Sequence, residues 1–357
     1  MNTTAVVFSP VYYRHNAGKG HPESAKRLRA IVNELEKSKL RGIGNWRFIE
    51  PEKASLEDVE LVHGTEYIQL VEAVCKSGGG LLDLGDTVVS PESFEVARYA
   101  VGGILKAVNI VMEGKFRNAF ALVRPPGHHA GKYRACGFCI FNNIAIAAEY
   151  LLKEFRLKRV LILDIDAHHG NGTQETFYET SKVLYVSLHQ DPRGFPGTGF
   201  IDEIGEGEGL GYNVNIPLPF RTGDQIYLKA VNEVVKPIIR QYKPQFTLVS
   251  AGLDGHYTDP VASLSLSASC YQEVYETIVN LASEMCGGKL VSVLEGGYSL
   301  NFVGKIATAA IAKMSGTFYR IDDKAPAIRE RTRKQGEKVI EEVKKVQKAF
   351  WNIDYQF

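Results

Sequence analysis

Short apolar runs alternate along the chain with longer segments whose apolar residues recur every three or four positions. The short runs have the length of buried strands, and the periodic segments predict helices. This alternation favours a mostly parallel sheet with helices on both faces, because parallel strands need helical crossovers between them. No internal repeat, low-complexity run or linker divides the pattern. We therefore predict a single α/β domain, with strands at residues 5–8, 119–123, 160–163, 183–188, 212–216, 246–250 and 289–294.

Helix-start signals precede several of the periodic segments. Pro22 and Glu23 stand near the start of the first, and residues 90–92 (SPE) precede a long apolar one. Residues 81–90 have no clear period and are predicted to be irregular. The predicted helices cover residues 20–36, 57–61, 66–75, 90–112, 143–155, 224–241 and 267–285.

The end of the chain differs from the rest. Residues 1–320 are predicted to form the main domain, and residues 321–357 a helical extension that packs on it. Within the extension, a charged helix from 324 to about 351 carries one apolar stripe. Docking on the same domain is the more common arrangement, while docking on another subunit, as in a homo-oligomer, stays open. The stripe consists of Ile340, Val343, Val346 and Phe350.

Composition and charge exclude few classes of function. The 357 residues are 45% hydrophobic and 23% charged, as in an ordinary soluble protein. A net charge of +1 gives no general electrostatic reason to expect nucleic acid or a membrane surface as a partner. The five cysteines are scattered, and Cys136 and Cys139 form a lone C-x-x-C without the second pair that a structural zinc would need. With no signal peptide at the start, these features predict a cytoplasmic protein.

Candidate metal ligands follow directly after the predicted strand at 160–163. Asp166 and His168 are two residues apart, so in extended chain their side chains leave on the same side and can bind one ion together. Asp164 could then support a ligand. Caps on the following helix are the alternative explanation for a lone Asp-x-His. A second pair of imidazoles, His128 and His129, favours the metal site.

Other strands end in equally reactive residues. Asp254 follows the strand at 246–250, and Tyr298 follows the strand at 289–294. The carboxyl ends of parallel strands share one edge of a sheet, so these residues should converge with Asp166 and His168. Asp166, His168 and Asp254 would give oxygen and nitrogen ligands and leave a position open, as in a catalytic zinc site.

This donor set also allows Fe(II), Co(II) or Mn(II), because it contains no cysteine. His128 and His129 would transfer protons, and Tyr298 would donate to a developing oxyanion. The reaction class is metal-assisted hydrolysis of a carbonyl.

The chain resembles the histone deacetylase and acetylpolyamine amidohydrolase family, in a class II-like, prokaryotic form. The resemblance covers about the first 300 residues, and the last fifty residues carry no matching motif. The matching motifs, in family order, are 20–23 (GHPE), 124–130 (RPPGHHA), 137–139 (GFC), 164–172 (DIDAHHGNG), 187–190 (SLHQ), 196–199 (PGTG), 250–254 (SAGLD), 259–260 (DP) and 294–298 (LEGGY).

The resemblance implies an arginase-like α/β fold around an eight-stranded parallel sheet, with Zn²⁺ on the three ligands named above. It also implies that Asp164 holds His128 and that Asn171 holds His129. Class I members carry aspartate where this chain has Asn171. Without a charged partner, the pKa of His129 should be raised less than in class I.

The resemblance further implies structural K⁺ beneath the zinc. The first site would use carbonyls of Asp164, Asp166, His168 and Leu188 together with the Ser187 hydroxyl. A second K⁺ site would use carbonyls of Phe177, Thr180, Val183 and Tyr212.

The substrate is expected to contact Gly137, Phe138, Asp86 and Pro126. Phe138 should form one wall of a narrow apolar tunnel, because the aliphatic stem of a lysine needs such a sleeve before its amide reaches the metal.

The expected function is zinc-dependent hydrolysis of N-acetyl-lysine side chains in proteins or peptides. The first alternative is an acetylpolyamine deacetylase, whose relatives in one branch place an acid after the Asp-Pro pair, where this chain has Val261. The second is a catalytically weak acyl-lysine binding protein, against which the retained Tyr298 argues. The expected partner is an acetylated protein, peptide or polyamine, without direct nucleic-acid or membrane binding.

Overall fold

One parallel sheet runs through the centre of the computed structural model, which describes residues 3–38 and 45–353. Among the described residues it has eight strands, in the spatial order β2-β1-β3-β8-β7-β4-β5-β6. All neighbouring pairs are parallel, which confirms the predicted sheet. The strands are β1 (Thr4–Val7), β2 (Trp46–Ile49), β3 (Asn118–Ala121), β4 (Val160–Asp164), β5 (Val183–Gln190), β6 (Asn213–Leu218), β7 (Phe246–Ala251) and β8 (Leu290–Leu294).

Two groups of helices cover the sheet. The helices are α1 (Ala25–Lys37), α2 (Leu56–Val59), α3 (Thr65–Lys76), α4 (Ser93–Met112), α5 (Asn143–Lys153), α6 (Asn171–Phe177), α7 (Asp224–Ala230), α8 (Lys236–Tyr242), α9 (Ala268–Cys286), α10 (Val303–Ser315) and α11 (Glu330–Gln347). Helices α4 and α5 pack together, and α10 packs against α1 and α9. A π-helical turn, Val231–Val235, joins α7 to α8, so the predicted helix at 224–241 is one interrupted helical stretch.

Several elements differ from the sequence prediction, and helices α6 and α10 were not among the predicted helices. Strand β2 was not predicted: only its first residue is buried and Arg47 is exposed, so it carries no continuous apolar run. The segment predicted to be irregular contains a small antiparallel hairpin, Gly80–Leu81 with Val88–Val89.

The central strands are buried on both faces. Every residue of β4 and β5 is buried, as expected for strands between two helical layers. Acids and imidazoles appear only where these strands end, so the fold delivers polar side chains to one edge of an apolar core.

The C-terminal helix packs on the rest of the chain. Helix α11 contacts β6 and α7, and Ile340 and Val343 on its stripe are fully buried. Val346 is half-buried, and Phe350 is 37% exposed. Residues 354–357 of the predicted extension lie outside the described residues. Within the described ranges, α-helices that combine the length and apolar character needed to cross a bilayer are absent.

Candidate metal and catalytic centre

Three predicted ligands meet at the carboxyl edge of the sheet. Asp166 and His168 follow β4, and Asp254 follows the neighbouring strand β7. One ligand atom from each lies within 4.8 Å of the others. All three are buried, and His168, at 8% exposure, is the most accessible. The sheet topology therefore brings together residues that are far apart in sequence.

The donor atoms of this group fit a cation. Nδ1 of His168 lies 2.8 Å from Oδ2 of Asp254 and 3.4 Å from Oδ1 of Asp166. Oδ2 of Asp254 is buried but has no hydrogen-bond partner with suitable geometry among the described residues. A buried carboxylate oxygen without such a partner is costly unless a cation satisfies it. The arrangement therefore fits a metal ion with oxygen and nitrogen ligands.

Backbone groups fix the two carboxylates. The amide of Ala167 donates to Oδ1 of Asp254 at 2.9 Å, and that of Gly296 donates to Oδ2 of Asp166 at 2.8 Å. A Cβ atom at Gly252 would lie 2.2 Å from Oδ2 of Asp166. Glycine at this position is therefore what lets β7 approach the ligand so closely.

The two adjacent histidines have different partners. Nδ1 of His128 lies 3.1 Å from Oδ2 of Asp164, which also accepts from the hydroxyl of Tyr185 at 3.0 Å. Nδ1 of His129 lies 2.8 Å from Oδ1 of Asn171. Carboxylate and amide oxygens only accept, so both Nδ1 atoms donate. The Nε2 atoms are the ring nitrogens left for chemistry in the pocket.

These partners move the two pKa values in opposite directions. Burial lowers the pKa of His128, but the carboxylates of Asp164 and Asp166 outweigh it and raise the pKa to about 10. Burial and the positive charge of His128 hold the pKa of His129 well below its usual value. Neighbouring titratable groups with separated pKa values suit an acid and base pair.

Tyr298 lines the same pocket as Asp166 and His168, on a turn held by the side chains of Asp259 and Arg27. Its backbone amide donates to Oδ2 of Asp259 at 2.7 Å. Arg27 donates to the carbonyl of Gly297 at 2.6 Å, and its guanidinium carbon lies 4.7 Å from the centre of the Tyr298 ring. Burial holds the pKa of Tyr298 well above its usual value. The hydroxyl therefore keeps its proton and can act as a donor.

A buried ionic cluster behind this turn was not predicted as a unit. Glu23 accepts hydrogen bonds from Arg27 and Arg124, and all three side chains are fully buried. A second buried acid, Glu295, accepts from the amides of Gly127 and His128. Burial raises the pKa of Glu295 to about 7, although the charge of His128 opposes it. These groups fix the backbone that carries the histidine pair and the tyrosine.

A pocket of about 250 Å³ leads to the centre. Its residues include all four of the predicted substrate contacts. Phe195, Cys139 and Val261 line it as well, and none of these three was among the predicted substrate contacts. The lining consists of Asp86, Pro126, His128, His129, Gly137, Phe138, Cys139, Asp166, His168, Phe195, Val261, Gly296 and Tyr298.

Aromatic rings narrow the pocket. Phe138 meets Tyr298 edge-on with 5.8 Å between ring centres, and Phe195 meets His129 in the same way at 5.0 Å. Phe138 has a φ of +69°, a left-handed backbone conformation that few residues other than glycine adopt. A Cβ atom at Gly137 would lie 2.5 Å from the His129 ring, so this position admits only glycine. Asp86 is exposed, at the mouth of the pocket.

The Ser187 hydroxyl is the side-chain ligand predicted for the first K⁺ site, and its hydrogen bond leaves its lone pairs free. Nε2 of His189 donates to the carbonyl of Gly199 at 2.9 Å, because that oxygen only accepts. Burial lowers the pKa of His189 to about 4, so its Nδ1 is unprotonated and accepts from the Ser187 hydroxyl at 2.7 Å. The lone pairs of the Ser187 oxygen stay available. Ser187 is also the register partner of Asp164.

The residues of the second predicted K⁺ site lie around the start of β5. Phe177 ends α6, Val183 begins β5, Thr180 lies in the turn between them, and Tyr212 directly precedes β6. The Phe177 and Tyr212 carbonyls already accept backbone hydrogen bonds, at 3.3 and 3.0 Å. Each carbonyl has a second lone pair, so these bonds do not exclude a cation.

A model of the histone deacetylase domain matches residues 21–314 of the chain. The chain belongs to the histone deacetylase family. The chain is 45% identical over 297 residues to a probable deacetylase of Archaeoglobus fulgidus. The aligned residues cover 83% of this chain and 82% of that protein. It is 37% identical to a histone deacetylase-like amidohydrolase of Pseudomonas aeruginosa, covering 86% and 80% of the two chains.

A solved structure supports the same assignment. The crystal structure of the HDA15 HD domain matches with a TM-score of 0.87 and 34% identity, over 98% of this chain and 95% of that one. This histone deacetylase-family protein therefore has the arginase-like fold predicted from the motifs. As a member of a metal-dependent family, it is a hydrolase of the deacetylase and amidohydrolase type.

Proposed function

We propose that this histone deacetylase-family protein hydrolyses the acetyl amide of N-acetyl-lysine side chains in proteins or peptides. The pocket carries the proposal: aromatic rings line it, and Asp166, His168, Tyr298 and the two histidines are among its lining residues. An apolar sleeve suits the four methylene groups of a lysine stem, and the polar groups suit its amide.

We further propose Zn²⁺ as the native metal, held by Asp166, His168 and Asp254. Three nitrogen and oxygen ligands with an open position are typical of catalytic zinc, although Fe²⁺ or Co²⁺ could replace it. When bound, the ion would polarise the substrate carbonyl and the attacking water. Structural K⁺ at the sites around Ser187 and Tyr212 belongs to the same proposal.

His129, His128 and Tyr298 have different roles in the proposed reaction. His129, neutral and with Nε2 free, takes a proton from the attacking water as its oxygen bonds to the amide carbon. His128, whose pKa is raised by the neighbouring carboxylates, and the Tyr298 hydroxyl stabilise the negative charge that develops on the carbonyl oxygen. The protonated His129 then gives its proton to the leaving nitrogen as the C–N bond breaks. The products are acetic acid, which ionises to acetate, and the lysine amine, which takes up the released proton.

The substrate class is the least constrained part of the proposal. Val261 lines the pocket where polyamine-selective relatives of one branch carry an acid. Asp86 at the mouth could still attract the distant cation of an acetylpolyamine, which keeps that alternative in the test. The weak binding protein is the less favoured alternative, because Tyr298 is retained beside the metal ligands. The cytoplasmic location and a homo-oligomer stay predictions.

A comparison of substrates tests the function. Acetate release should be measured with the purified protein on an acetyl-lysine peptide, longer acyl-lysine peptides and N-acetylputrescine. We expect the highest kcat/KM on an acyl-lysine peptide. A higher kcat/KM on N-acetylputrescine would establish the polyamine alternative, and tight peptide binding without turnover would establish the binding protein.

Metal analysis tests the ligand assignment. Asp166→Ala, His168→Ala and Asp254→Ala should each abolish turnover and bound metal, as measured by elemental analysis. Glu113→Gln, which changes an exposed acid just after α4, serves as the matched control with full metal content. Undiminished metal in all three ligand variants would exclude these residues as the metal site.

A further inference from the structure

Asp323 lies beyond the part of the chain that the family model matches, in the segment between α10 and α11. Its side chain is nevertheless only 1% exposed. Oδ2 lies 3.0 Å from Nε2 of His256 and accepts from the amide of Ala268 at 2.7 Å, and Oδ1 accepts from the Tyr257 hydroxyl at 2.9 Å. The buried carboxylate therefore accepts three hydrogen bonds.

His256 extends this contact toward the catalytic centre. Its Nε2 must donate, since a carboxylate only accepts. Its Nδ1 accepts from the backbone amide of Thr258 at 3.3 Å and lies 2.9 Å from the Thr258 hydroxyl. Because Nδ1 is an acceptor, the Thr258 hydroxyl hydrogen points to it. The Ser299 hydroxyl, 2.6 Å away, then donates to the Thr258 oxygen.

The chain of hydrogen bonds thus ends one residue after Tyr298. Gly296 and Gly297 precede the tyrosine, and Gly297 has a φ of +118°, so this turn has little stiffness of its own. The amides of Tyr298 and Ser299 both donate to Oδ2 of Asp259, at 2.7 and 3.1 Å. The Ser299 hydroxyl is a further attachment point, separate from these amides and from the Arg27 bond to the Gly297 carbonyl. The hydrogen bonds that start at this hydroxyl lead through Thr258 and His256 to Asp323.

We propose that Asp323, from outside the family-matched domain, is a positioning residue that holds Tyr298 over the metal ligands through His256, Thr258 and Ser299. This inference rests on the proposed role of Tyr298 as the oxyanion donor. Loss of the anchor would leave the tyrosine present but imprecisely placed. Misplacement by about 1 Å can cost two orders of magnitude in rate, and a turn that keeps its other attachments should lose less.

Kinetics of Asp323 variants in the full-length metalloenzyme test the proposal. Asp323→Ala should lower kcat about tenfold and leave KM nearly unchanged, because the donor acts mainly in the transition state. Asp323→Asn should retain most of the activity, since its amide oxygen can still accept from His256 and Ala268. Tyr257→Phe is the matched control: it removes another hydrogen bond to Asp323, leaves the path to Tyr298 intact and should keep full kcat. Unchanged kcat in Asp323→Ala, even with a lower Tm, would overturn the proposal.

Ser299→Ala breaks the other end of the path and decides the question if Asp323→Ala does not fold. It should lower kcat by a similar factor, and its combination with Asp323→Ala should lower kcat no further. Losses that multiply in the double variant would show two independent effects and overturn the proposal. Unchanged kcat in Ser299→Ala would overturn it too.

A probe without substrate separates this inference from the proposed function. With 3-fluorotyrosine at position 298, the fluorine NMR signal of the metal-loaded protein should broaden or split in Asp323→Ala and stay as in the parent in Tyr257→Phe. That result supports the inference even if acetyl-lysine proves to be the wrong substrate. An identical fluorine signal in Asp323→Ala would overturn it.

Discussion

Oδ1 of Asn171 lies 2.8 Å from Nδ1 of His129, so a neutral amide orients this imidazole. The neighbouring His128 faces the carboxylate of Asp164 instead. An amide fixes the tautomer without adding negative charge, and the pKa of His129 is held low by its burial and by His128. The expected difference from class I members, which carry aspartate in place of Asn171, stays a prediction.

Asn171→Asp should move the acidic limb of the kcat/KM profile to higher pH. A carboxylate beside Nδ1 would favour the protonated imidazole and raise the pKa of His129. A base with a higher pKa is protonated, and therefore inactive, up to a higher pH. The measurement is kcat/KM against pH for both proteins, with metal content checked at each end. An acidic limb that stays in place, or moves to lower pH, would contradict the assignment of His129 as the base.

Tyr298→Phe should lower kcat about 100- to 1000-fold, the typical cost of losing one oxyanion donor. The substitution removes only the hydroxyl, so KM, metal content and Tm should stay close to those of the parent protein. Steady-state kinetics and thermal melting of this one variant are the measurements. Near-normal turnover with a lowered Tm would instead identify a purely structural tyrosine.

Phe138→Ala should lower kcat/KM for an acetyl-lysine peptide about tenfold. One wall of the sleeve is lost, and each methylene that stays in water costs about 0.8 kcal/mol. Phe318→Ala, at an aromatic residue that is 86% exposed, is the matched control and should leave kcat/KM unchanged. If Phe138→Ala folds and keeps the parent kcat/KM, Phe138 does not form the tunnel.

Glu23→Gln should lower the free energy of unfolding by about 3–5 kcal/mol, because it leaves the buried guanidinium groups of Arg27 and Arg124 without their counter-charge. Burial raises the pKa of Glu23, but Arg124 outweighs it and holds the pKa well below its usual value. Stability from this group is therefore complete above the unfolded pKa and is lost as the pH falls through the folded pKa. Urea unfolding at neutral pH measures the loss, with Glu113→Gln as the exposed control. A loss as small as that of the control would contradict the prediction.

The sequence predicted the parts of the fold and site that have a local signal. The apolar run at 160–163 in β4 and the acids that follow it are predicted by residue pattern alone, and Asp166 and His168 share one short stretch. Strand β2 has no such pattern, because it lies at the edge of the sheet. Its hydrogen bonds to β1, rather than its side chains, define it.

Long-range contacts explain what the sequence could not predict. Nothing near Glu23 indicates that it meets Arg124 across the core, and Phe195 enters the pocket from a glycine-rich loop. On α11, Gln347 looks like a surface residue but is buried, because its amide donates to the carbonyl of Asn213 at 3.4 Å. Phe350, on the predicted apolar stripe, stays partly exposed.

The position of α11 has a consequence for self-association. Strand β6 is the last strand of the sheet, and an uncovered edge strand can template pairing with a strand of another molecule. Gln347 donates to the carbonyl of Asn213, the first residue of that strand, and Trp351 donates to the carbonyl of Gly211 just before it. Removal of residues 330–353 would expose these acceptors and leave the edge strand β6 open to pairing with strands of other molecules.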